Sequence, residues 1–229
     1  MQPHLAALLP AACELCAADS GEEAVCAACA ASLPVLPAAC PVCALPQPAG
    51  AVCGACLAHP PPFAATLTPW VYAEPVDLLI QAFKFHGRLA LGSFLATALE
   101  RCIAASGQTL PDLLIPLPLS AGRQRERGYN QAQELSRRLA RHLHLPLADR
   151  LVQRVGEAVP QSTLPWKERA GNIRGAFQVI GELRGRHVAV VDDVLTTGAT
   201  LTEMARVLRA AGAERVTNWV LARTLPPNH

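Results

Sequence analysis

Two neighbouring carboxylates, Asp192 and Asp193, stand where an apolar run gives way to a loop of small hydroxyl residues. The run before them, VAVV at residues 188–191, has the length and composition of a short buried strand. The loop after them reads TTGAT at residues 196–200 and leads into a helical pattern. This order predicts an anion site, because free N–H groups and the positive end of a helix dipole meet there. The carboxylates beside it would repel phosphate and suit sugar hydroxyls or hydrated magnesium instead.

One alternative for this pattern is the magnesium-binding strand of a P-loop ATPase, which also ends in acidic residues. That class requires the sequence GxxxxGK[ST] upstream, and the chain contains no such run. The other alternative is an ordinary strand, turn and helix with surface acids. We favour the ligand site because the apolar run, the two acids, the hydroxyl loop and the helical pattern match a long motif at every position. Such a motif is more specific than a single glycine pattern.

Eight of the nine cysteines form four Cys-x-x-Cys pairs, namely Cys13/Cys16, Cys26/Cys29, Cys40/Cys43 and Cys53/Cys56. Tetrahedral zinc binds four thiolates, and each pair supplies two of them from one turn, so the sequence predicts up to two zinc ions. Sequential pairing is the simplest arrangement, while a cross-braced pairing or fewer ions stays open. The rival, a disulfide framework, is typical of secreted chains. Four thiolates leave no position for water, so the zinc is predicted to be structural.

Charge is distributed unevenly along the chain. No Lys or Arg precedes Lys84 while six acidic residues do, and the remainder carries 20 basic residues against 12 acidic ones. An acidic module with thiolate-bound zinc would repel phosphates, so it favours protein docking or domain bracing over nucleic-acid binding. The sequence HPPP at 59–62 marks the boundary between a zinc module, residues 1–60, and a larger domain, residues 61–229.

Compartment is inferred from what the sequence lacks. No apolar run approaches the roughly 20 residues that a membrane span requires. The apolar stretch at residues 5–12 has no basic residue before it, unlike a signal peptide. We therefore expect a cytoplasmic protein with no membrane span.

The larger domain alternates strand-like and helical patterns. Strands are predicted at 66–72, 113–118, 176–180, 188–191 and 215–222, and helices at 76–85, 89–105, 132–143 and 201–211. This alternation predicts an α/β fold with a mainly parallel sheet and helices on both faces. Ligands of such sheets bind at the carboxyl ends of the strands. The acidic pair and a polar, basic loop at residues 120–131 are expected to meet at that edge.

Together these features resemble the ComF family, the competence-associated phosphoribosyltransferase-like proteins. Besides the cysteine pairs and VAVVDDVLTTGAT at 188–200, the resemblance rests on FKFHGR at 83–88, PLP at 116–118, RGYNQ at 127–131, QS at 161–162, ER at 168–169, Asn172 and AF at 176–177. It covers essentially the whole chain. It implies a type I phosphoribosyltransferase fold behind a double zinc ribbon, binding of 5-phosphoribosyl-1-pyrophosphate (PRPP) with magnesium, and a link to DNA uptake in natural transformation.

The resemblance also implies roles for single residues. The catalytic acidic pair, Asp192 and Asp193, would hold the ribose hydroxyls, with magnesium nearby. The 5-phosphate would be held by Thr196, Thr197, Gly198, Ala199 and Thr200. Guanidinium groups match phosphate oxygens, so candidates for the pyrophosphate side are Arg123, Arg125 and Arg127, with Lys84 and Arg169 as further candidates. The alternative for these basic residues is a solvated surface loop.

Three functions are compatible with the sequence: a phosphoribosyltransferase, a sensor that binds PRPP without turnover, and an adaptor for single-stranded DNA. The adaptor hypothesis rests on residues 123–174, which hold eleven basic and five acidic residues, and on Tyr129 and Trp166 as stacking platforms. Other DNA-uptake proteins are candidate partners of the acidic zinc module. No acceptor-base pocket is recognisable in the sequence, so turnover and binding without turnover stay equal alternatives.

Overall fold

Strands and helices alternate through most of the chain in the computed structural model, which describes residues 11–85, 88, 90–155 and 173–226. In chain order the elements are α1 (Ala27–Ala31), α2 (Gly54–Ala58), β1 (Ala65–Leu67), β2 (Trp70–Val71), α3 (Val76–Phe85), α4 (Leu91–Ala105), β3 (Leu113–Pro116), α5 (Ala121–Arg127), α6 (Gln131–His142), β4 (Val152–Arg154), β5 (Phe177–Val179), β6 (His187–Leu195), α7 (Ala199–Ala210) and β7 (Arg215–Arg223). Among these, no helix combines the length and the apolar character needed to cross a bilayer.

The central sheet has the strand order β3-β6-β7-β1, and β2 also pairs with β7. All of these pairings are parallel, with Val190 of β6 lying between Ile115 of β3 and Asn218 of β7. The remaining two strands, β4 and β5, form a separate antiparallel pair. The predicted α/β architecture with a mainly parallel sheet is therefore confirmed.

Side chains of β6 alternate between two hydrophobic cores, one on each face of the sheet. Ala189 and Val191 join the core that includes helices α3, α4 and α6. Val188 and Val190 join the core that includes α7 and the β4–β5 pair. Alternation with a period of two is what a strand buried on both faces requires. Helices thus cover both faces, and the carboxyl end of β6 stays free for a site.

Several elements differ from the sequence-based expectation, among them the single strand predicted at 66–72, which is divided into β1 and β2. Residues 121–127, predicted as a polar loop, form helix α5, which begins at the N-cap Ser120 and ends at Gly128 in the left-handed region with φ 76°. No residue of α5 is buried, so the sequence lacks the apolar periodicity that marks a helix. Strand β6 continues past the acidic pair to Leu195, and the three-residue strand β4 was not predicted.

The cysteine-rich segment packs directly onto the larger domain. Cys13, Val25 and Leu33 belong to the same buried core as α3 and α4. Main-chain hydrogen bonds then join the segment to the first strands, from Leu36 N to Pro69 O at 2.9 Å and from Thr66 N to Pro41 O at 3.0 Å. The zinc module is therefore part of the folded body and shares its hydrophobic core.

Candidate functional site

The acidic pair lies in the last third of β6, at the carboxyl edge of the sheet. Asp193 accepts an ion pair from Lys84, whose Nζ lies 2.7 Å from Asp193 Oδ1, and the two side chains are only 13% and 14% exposed. Asp192 Oδ1 accepts a hydrogen bond from the Asp193 main-chain N–H at 2.8 Å. The last turn of α3, which carries Lys84, thus meets the acidic pair directly.

The environment of Asp192 shifts the pKa of its carboxyl group. Burial, followed by the negative charge of Asp193, raises the pKa of Asp192 to about 7. The positive charges of Lys84 and Arg123 act in the opposite direction without cancelling the shift. A carboxylate that titrates near neutrality in a cleft is suited to bind a hydroxyl group or a cation, either of which favours its ionised form.

A cleft of about 260 Å³ opens in front of this pair. Its charged lining consists of the two acids and four bases, namely Asp192, Asp193, Lys84, Arg123, Arg127 and Arg154. Thr196 and Thr200 add hydroxyl groups, and Tyr72, Leu117 and Ile173 add less polar surface. The structure therefore brings together the predicted acids, part of the predicted loop and three of the predicted bases.

The loop after β6 reaches helix α7 through Gly198, which is the N-cap residue and has φ 82°. A Cβ at this position would meet only Leu195 Cδ1 at 3.7 Å, so space is available and the backbone conformation is the reason for glycine. Thr197 Oγ1 accepts from the N–H of Ala199 at 3.3 Å. The first-turn N–H groups of α7 lack intrahelical partners, as in any helix, and can receive an anion.

The loop has two faces. Thr196 and Thr200 line the cleft beside the acidic pair. Thr197 and Gly198 line a second cavity of about 300 Å³, together with Cys56 of the cysteine-rich segment. The five loop residues predicted to act together are therefore divided between the cleft and the contact with the zinc module.

The arginines of α5 are also divided. Arg123 and Arg127, four residues apart, share one face of the helix and line the cleft. Arg125 lies between them, is exposed, and is not among the described residues that form the cleft wall. Arg127 also stacks on the ring of Phe85 at 4.8 Å. Arg169, the remaining predicted base, lies outside the described residues.

Arg154 lines the cleft but was missed at the sequence level. Its guanidinium lies 5.6 Å from the Phe177 ring centre, and its buried Nε has no hydrogen-bond partner among the described residues. Burial, and then the charge of Arg123, lowers the pKa of Arg154, while Asp192 opposes the shift. Two guanidinium groups that repel each other in a cleft form a site that an anion would stabilise. Strand β4 is too short to have indicated this position from sequence.

The RGYNQ segment at 127–131 holds the end of α3 in place. The Tyr129 hydroxyl donates to the Phe83 carbonyl, and Gln131 Nε2 donates to the Lys84 carbonyl at 3.1 Å. The Tyr129 ring also contacts the Phe83 ring edge-on, with 6.2 Å between the ring centres. These bonds fix the backbone from which Lys84 reaches Asp193. They also engage the hydroxyl of Tyr129, which is half-buried; Trp166, the other predicted stacking platform, lies outside the described residues.

The eight paired cysteines form two clusters in sequential order, Cys13, Cys16, Cys26 and Cys29 in the first ribbon and Cys40, Cys43, Cys53 and Cys56 in the second. Within each cluster the ligand atoms lie within 4.8 Å of one another. The Sγ separations Cys16–Cys26 and Cys43–Cys53 are 3.7 and 3.6 Å. Tetrahedral zinc with bonds of about 2.3 Å places its sulfurs about 3.8 Å apart, so the donor sets fit zinc. All eight cysteines are free of disulfides.

The thiol chemistry also favours a cation. Burial opposes ionisation of Cys13, but main-chain N–H donors led by Cys26 lower its pKa to about 6. Hydrogen bonds that the Cys29 thiol donates to neighbouring cysteines, Cys16 first, raise the pKa of Cys29 to about 12. The first thiolate of the cluster forms readily, whereas the last thiol keeps its proton because that proton is shared with its neighbours. A bound divalent cation would lower the pKa of that last thiol, which is consistent with two structural zinc ions.

Two domain families match the chain. The double zinc ribbon domain matches residues 4–57, and the phosphoribosyl transferase domain matches residues 126–225. The first match covers both cysteine clusters. The second runs from the end of α5 through β7, including the acidic pair and the loop that follows it. A phosphoribosyltransferase domain behind an N-terminal double zinc ribbon is thereby established.

Relatives of the chain include the competence protein F of Haemophilus influenzae, which is 41% identical over 159 residues, spanning 66% of this chain and 69% of the relative. The DNA utilization protein YhgH of Escherichia coli O157:H7 is 36% identical over 172 residues, spanning 72% and 74%. The competence protein ComFC of Bacillus subtilis is 28% identical over 159 residues, spanning 68% and 62%.

Proposed function

Because this chain belongs to the ComF family, with competence protein F and DNA utilization protein YhgH as relatives, we propose that it is a PRPP-binding, phosphoribosyltransferase-like protein that serves DNA uptake. The observation that carries the proposal is one cleft in which an acidic pair, a hydroxyl loop at a helix N-terminus and four basic side chains converge. PRPP carries matching groups: two ribose hydroxyls, a 5-phosphate and a pyrophosphate. The names of the relatives support the link to incoming DNA, which we place on the cytoplasmic side.

Each part of PRPP has a partner of suitable chemistry. We assign the ribose hydroxyls to Asp192 and Asp193, whose carboxylates accept hydrogen bonds. We assign the 5-phosphate to the hydroxyls of Thr196 and Thr200 and to the free main-chain N–H groups in the first turn of α7. We assign the pyrophosphate to the cleft bases, Arg123, Arg127, Arg154 and Lys84. Arg125, which is exposed outside the cleft, and Arg169 are left as secondary candidates.

Magnesium fits the same site. The carboxylates of Asp192 and Asp193, together with phosphate oxygens of the ligand, are the hard oxygen donors that this ion prefers. When bound, the ion neutralises charge on the departing pyrophosphate. Lys84 already neutralises Asp193 at 2.7 Å. Arg123 and Arg127 of α5 line the same cleft and supply positive charge for the leaving group.

The proposal is tested by calorimetric titration of the full chain with PRPP in the presence of magnesium. The double variant Asp192→Asn and Asp193→Asn keeps the size of both side chains and removes their charge. Each lost charge-assisted contact is worth roughly 1.5–3 kcal/mol, so PRPP binding should become undetectable while the circular dichroism spectrum stays the same. The matched control is Glu182→Gln, which neutralises an exposed carboxylate outside the cleft. Unchanged affinity in the double variant would refute the site.

Turnover is tested separately by measuring pyrophosphate release from PRPP with each free nucleobase. Release with one base identifies an enzyme and its acceptor. Binding without release across the set identifies a PRPP sensor. Both outcomes use the same cleft, so the calorimetric result does not depend on which of them holds.

The second candidate function is direct binding of single-stranded DNA. It is favoured by the positive charge of α5, whose arginines are largely exposed, and by the names of the relatives. Affinity for an oligonucleotide that falls steeply with salt would support it. In either case we assign the ligand to residues 61–229 and protein partners of DNA uptake to the acidic module, residues 1–60.

A further inference from the structure

Arg223, the last residue of β7, is a buried cation held by main-chain carbonyls. Its side chain is only 6% exposed. Nε donates to the Cys43 carbonyl at 2.9 Å, and Nη1 donates to the Leu195 carbonyl at 3.0 Å and to the carbonyl of Thr196. A further bond from Nη1 reaches the Thr224 carbonyl at 2.7 Å. One guanidinium therefore joins the second zinc ribbon to the start of the loop at 196–200.

The carbonyls that Arg223 contacts lie at the start of the loop and beside a zinc ligand. Strand β6 ends at Leu195, and the loop begins at Thr196, which lines the cleft. Cys43 lies in the second ribbon, and its carbonyl belongs to the turn that presents a zinc ligand. The planar fork of an arginine fixes the relative positions of several oxygens at once. A shift of the Cys43 turn would thus be transmitted to the loop through Arg223.

The contact surface beside Arg223 supports the same coupling. Thr197, Gly198 and Arg223 line the second cavity together with Cys43, Cys56 and His59. The loop therefore has the cleft on one side and the second ribbon on the other. The first ribbon has no such route in the described residues: its cluster packs into the core with α3 and α4.

We propose that Arg223 is a positioning residue through which zinc in the second ribbon holds the loop at 196–200 in its ligand-binding shape. The inference rests on the proposed function, because it assigns that ligand as PRPP. Coupling between two sites is reciprocal. Zinc in the second ribbon should strengthen PRPP binding, and bound PRPP should slow the loss of that zinc.

The first experiment measures the loop itself and needs no ligand. Hydrogen exchange of the full-length zinc-loaded chain is followed by mass spectrometry in the wild type and in Arg223→Gln. Exchange in the peptide that contains residues 196–200 should be faster in the variant, while zinc content stays the same. Calorimetry should then show PRPP affinity reduced by about tenfold or more, the loss expected for one charge-assisted contact. Added guanidinium ion at low concentration should restore part of the affinity of Arg223→Gly.

The matched control is Arg209→Gln. Arg209 also donates to main-chain carbonyls, those of Ala213 and Glu214, but it does so at the opposite end of α7. This variant should leave loop exchange and PRPP affinity unchanged. An equal effect from both variants would mean a general loss of stability and would overturn the inference.

The second experiment uses the wild-type chain, so it stands even if Arg223→Gln does not fold. Cysteine alkylation in the presence of a zinc chelator is mapped by mass spectrometry with and without saturating PRPP. Alkylation of Cys43 and Cys53 should be slowed by PRPP, and that of Cys16 and Cys26 should not. No effect of PRPP on the second ribbon, or an equal effect on both ribbons, overturns the coupling while leaving the proposed function intact. If the wild type binds no PRPP, the proposed function fails, and unchanged loop exchange in Arg223→Gln then overturns the inference as well.

Discussion

The two zinc ribbons are built alike and connected differently. Their ligands are related by a constant offset of 27 residues, from Cys13 to Cys40 and likewise through the remaining three. Each repeats the same local bond, from Cys26 N to Cys13 Sγ and from Cys53 N to Cys40 Sγ, both at 3.3 Å. Two sites with the same ligands and the same local geometry have the same intrinsic chemistry. Any difference in their roles must come from what surrounds them.

The two ribbons contact different parts of the larger domain. Cys13, Val25 and Leu33 of the first ribbon belong to the large core behind α3, the helix that carries Lys84. The second ribbon forms a small cluster of its own, whose Val42 also packs against the core that includes α7. It reaches the larger domain through polar bonds as well, among them the bond from Arg223 to the Cys43 carbonyl. The first ribbon contributes to the stability of the fold. The second contributes to the shape of a loop.

The most severe test of this comparison empties the first ribbon by Cys26→Ser with Cys29→Ser. Because this ribbon shares the main core, we expect a loss of about 5 kcal/mol or more in unfolding free energy, enough to remove cooperative unfolding. Urea denaturation followed by circular dichroism provides the measurement. A variant that unfolds like the wild type would show that the first ribbon is not part of the core.

Emptying the second ribbon by Cys53→Ser with Cys56→Ser should leave a folded chain. We expect cooperative unfolding to persist and PRPP affinity to fall by about tenfold, or about 1.4 kcal/mol. The measurements are urea denaturation and calorimetry, with zinc content determined on both ribbon variants. If this variant also unfolds, or if it binds PRPP as tightly as the wild type, the division of roles is wrong.

A charge change in the cleft, away from both ribbons, sharpens the comparison. The folded-state pKa of Asp192, about 7, lies above its ordinary value of 3.8. The folded chain therefore holds a proton that the unfolded chain releases, and stability should fall as pH rises between these values. Asp192→Asn should remove this dependence and raise stability at pH above 7 by about 1–2 kcal/mol, the full shift being reduced by solvent screening.

Urea denaturation at pH 5 and pH 8 checks the Asp192 prediction, with Glu182→Gln as the control. The same carboxylate should make PRPP binding of the wild type weaker below pH 7, where it becomes protonated. If the unfolding free energy of Asp192→Asn depends on pH as steeply as that of the wild type, the dependence belongs to another group.

The smallest effect is expected from Tyr129→Phe, on the side of the cleft that adjoins the first ribbon's core. The change removes the hydroxyl that donates to the Phe83 carbonyl and leaves the ring contact in place. We expect a loss of about 1 kcal/mol in stability and a severalfold weaker PRPP affinity, because Lys84 is less firmly placed. Zinc content should stay at the wild-type level. Affinity equal to the wild type would mean that the ion pair with Asp193 alone positions Lys84.

Sequence patterns predicted the parts of the molecule that depend on local periodicity. The helix over residues 76–85 and the sequential cysteine clusters are confirmed as predicted. Helix α5 was not predicted, because it buries no residue and so has no apolar face. Arg154 and Arg223 escaped notice because their surroundings are assembled from distant segments; Arg223 and Cys43 are 180 residues apart. No local pattern encodes such a contact.

That separation has a consequence for the order of events during synthesis. Ribosomes extend a chain by about 5–20 residues per second, so Arg223 is added roughly 10–35 s after Cys43. In that interval both ribbons have emerged and can acquire metal, while the strand that ends in Arg223 does not yet exist. A nascent chain can thus bind its metals before the contact that positions its loop can form. Ligand-binding competence arrives only after Arg223 has been added.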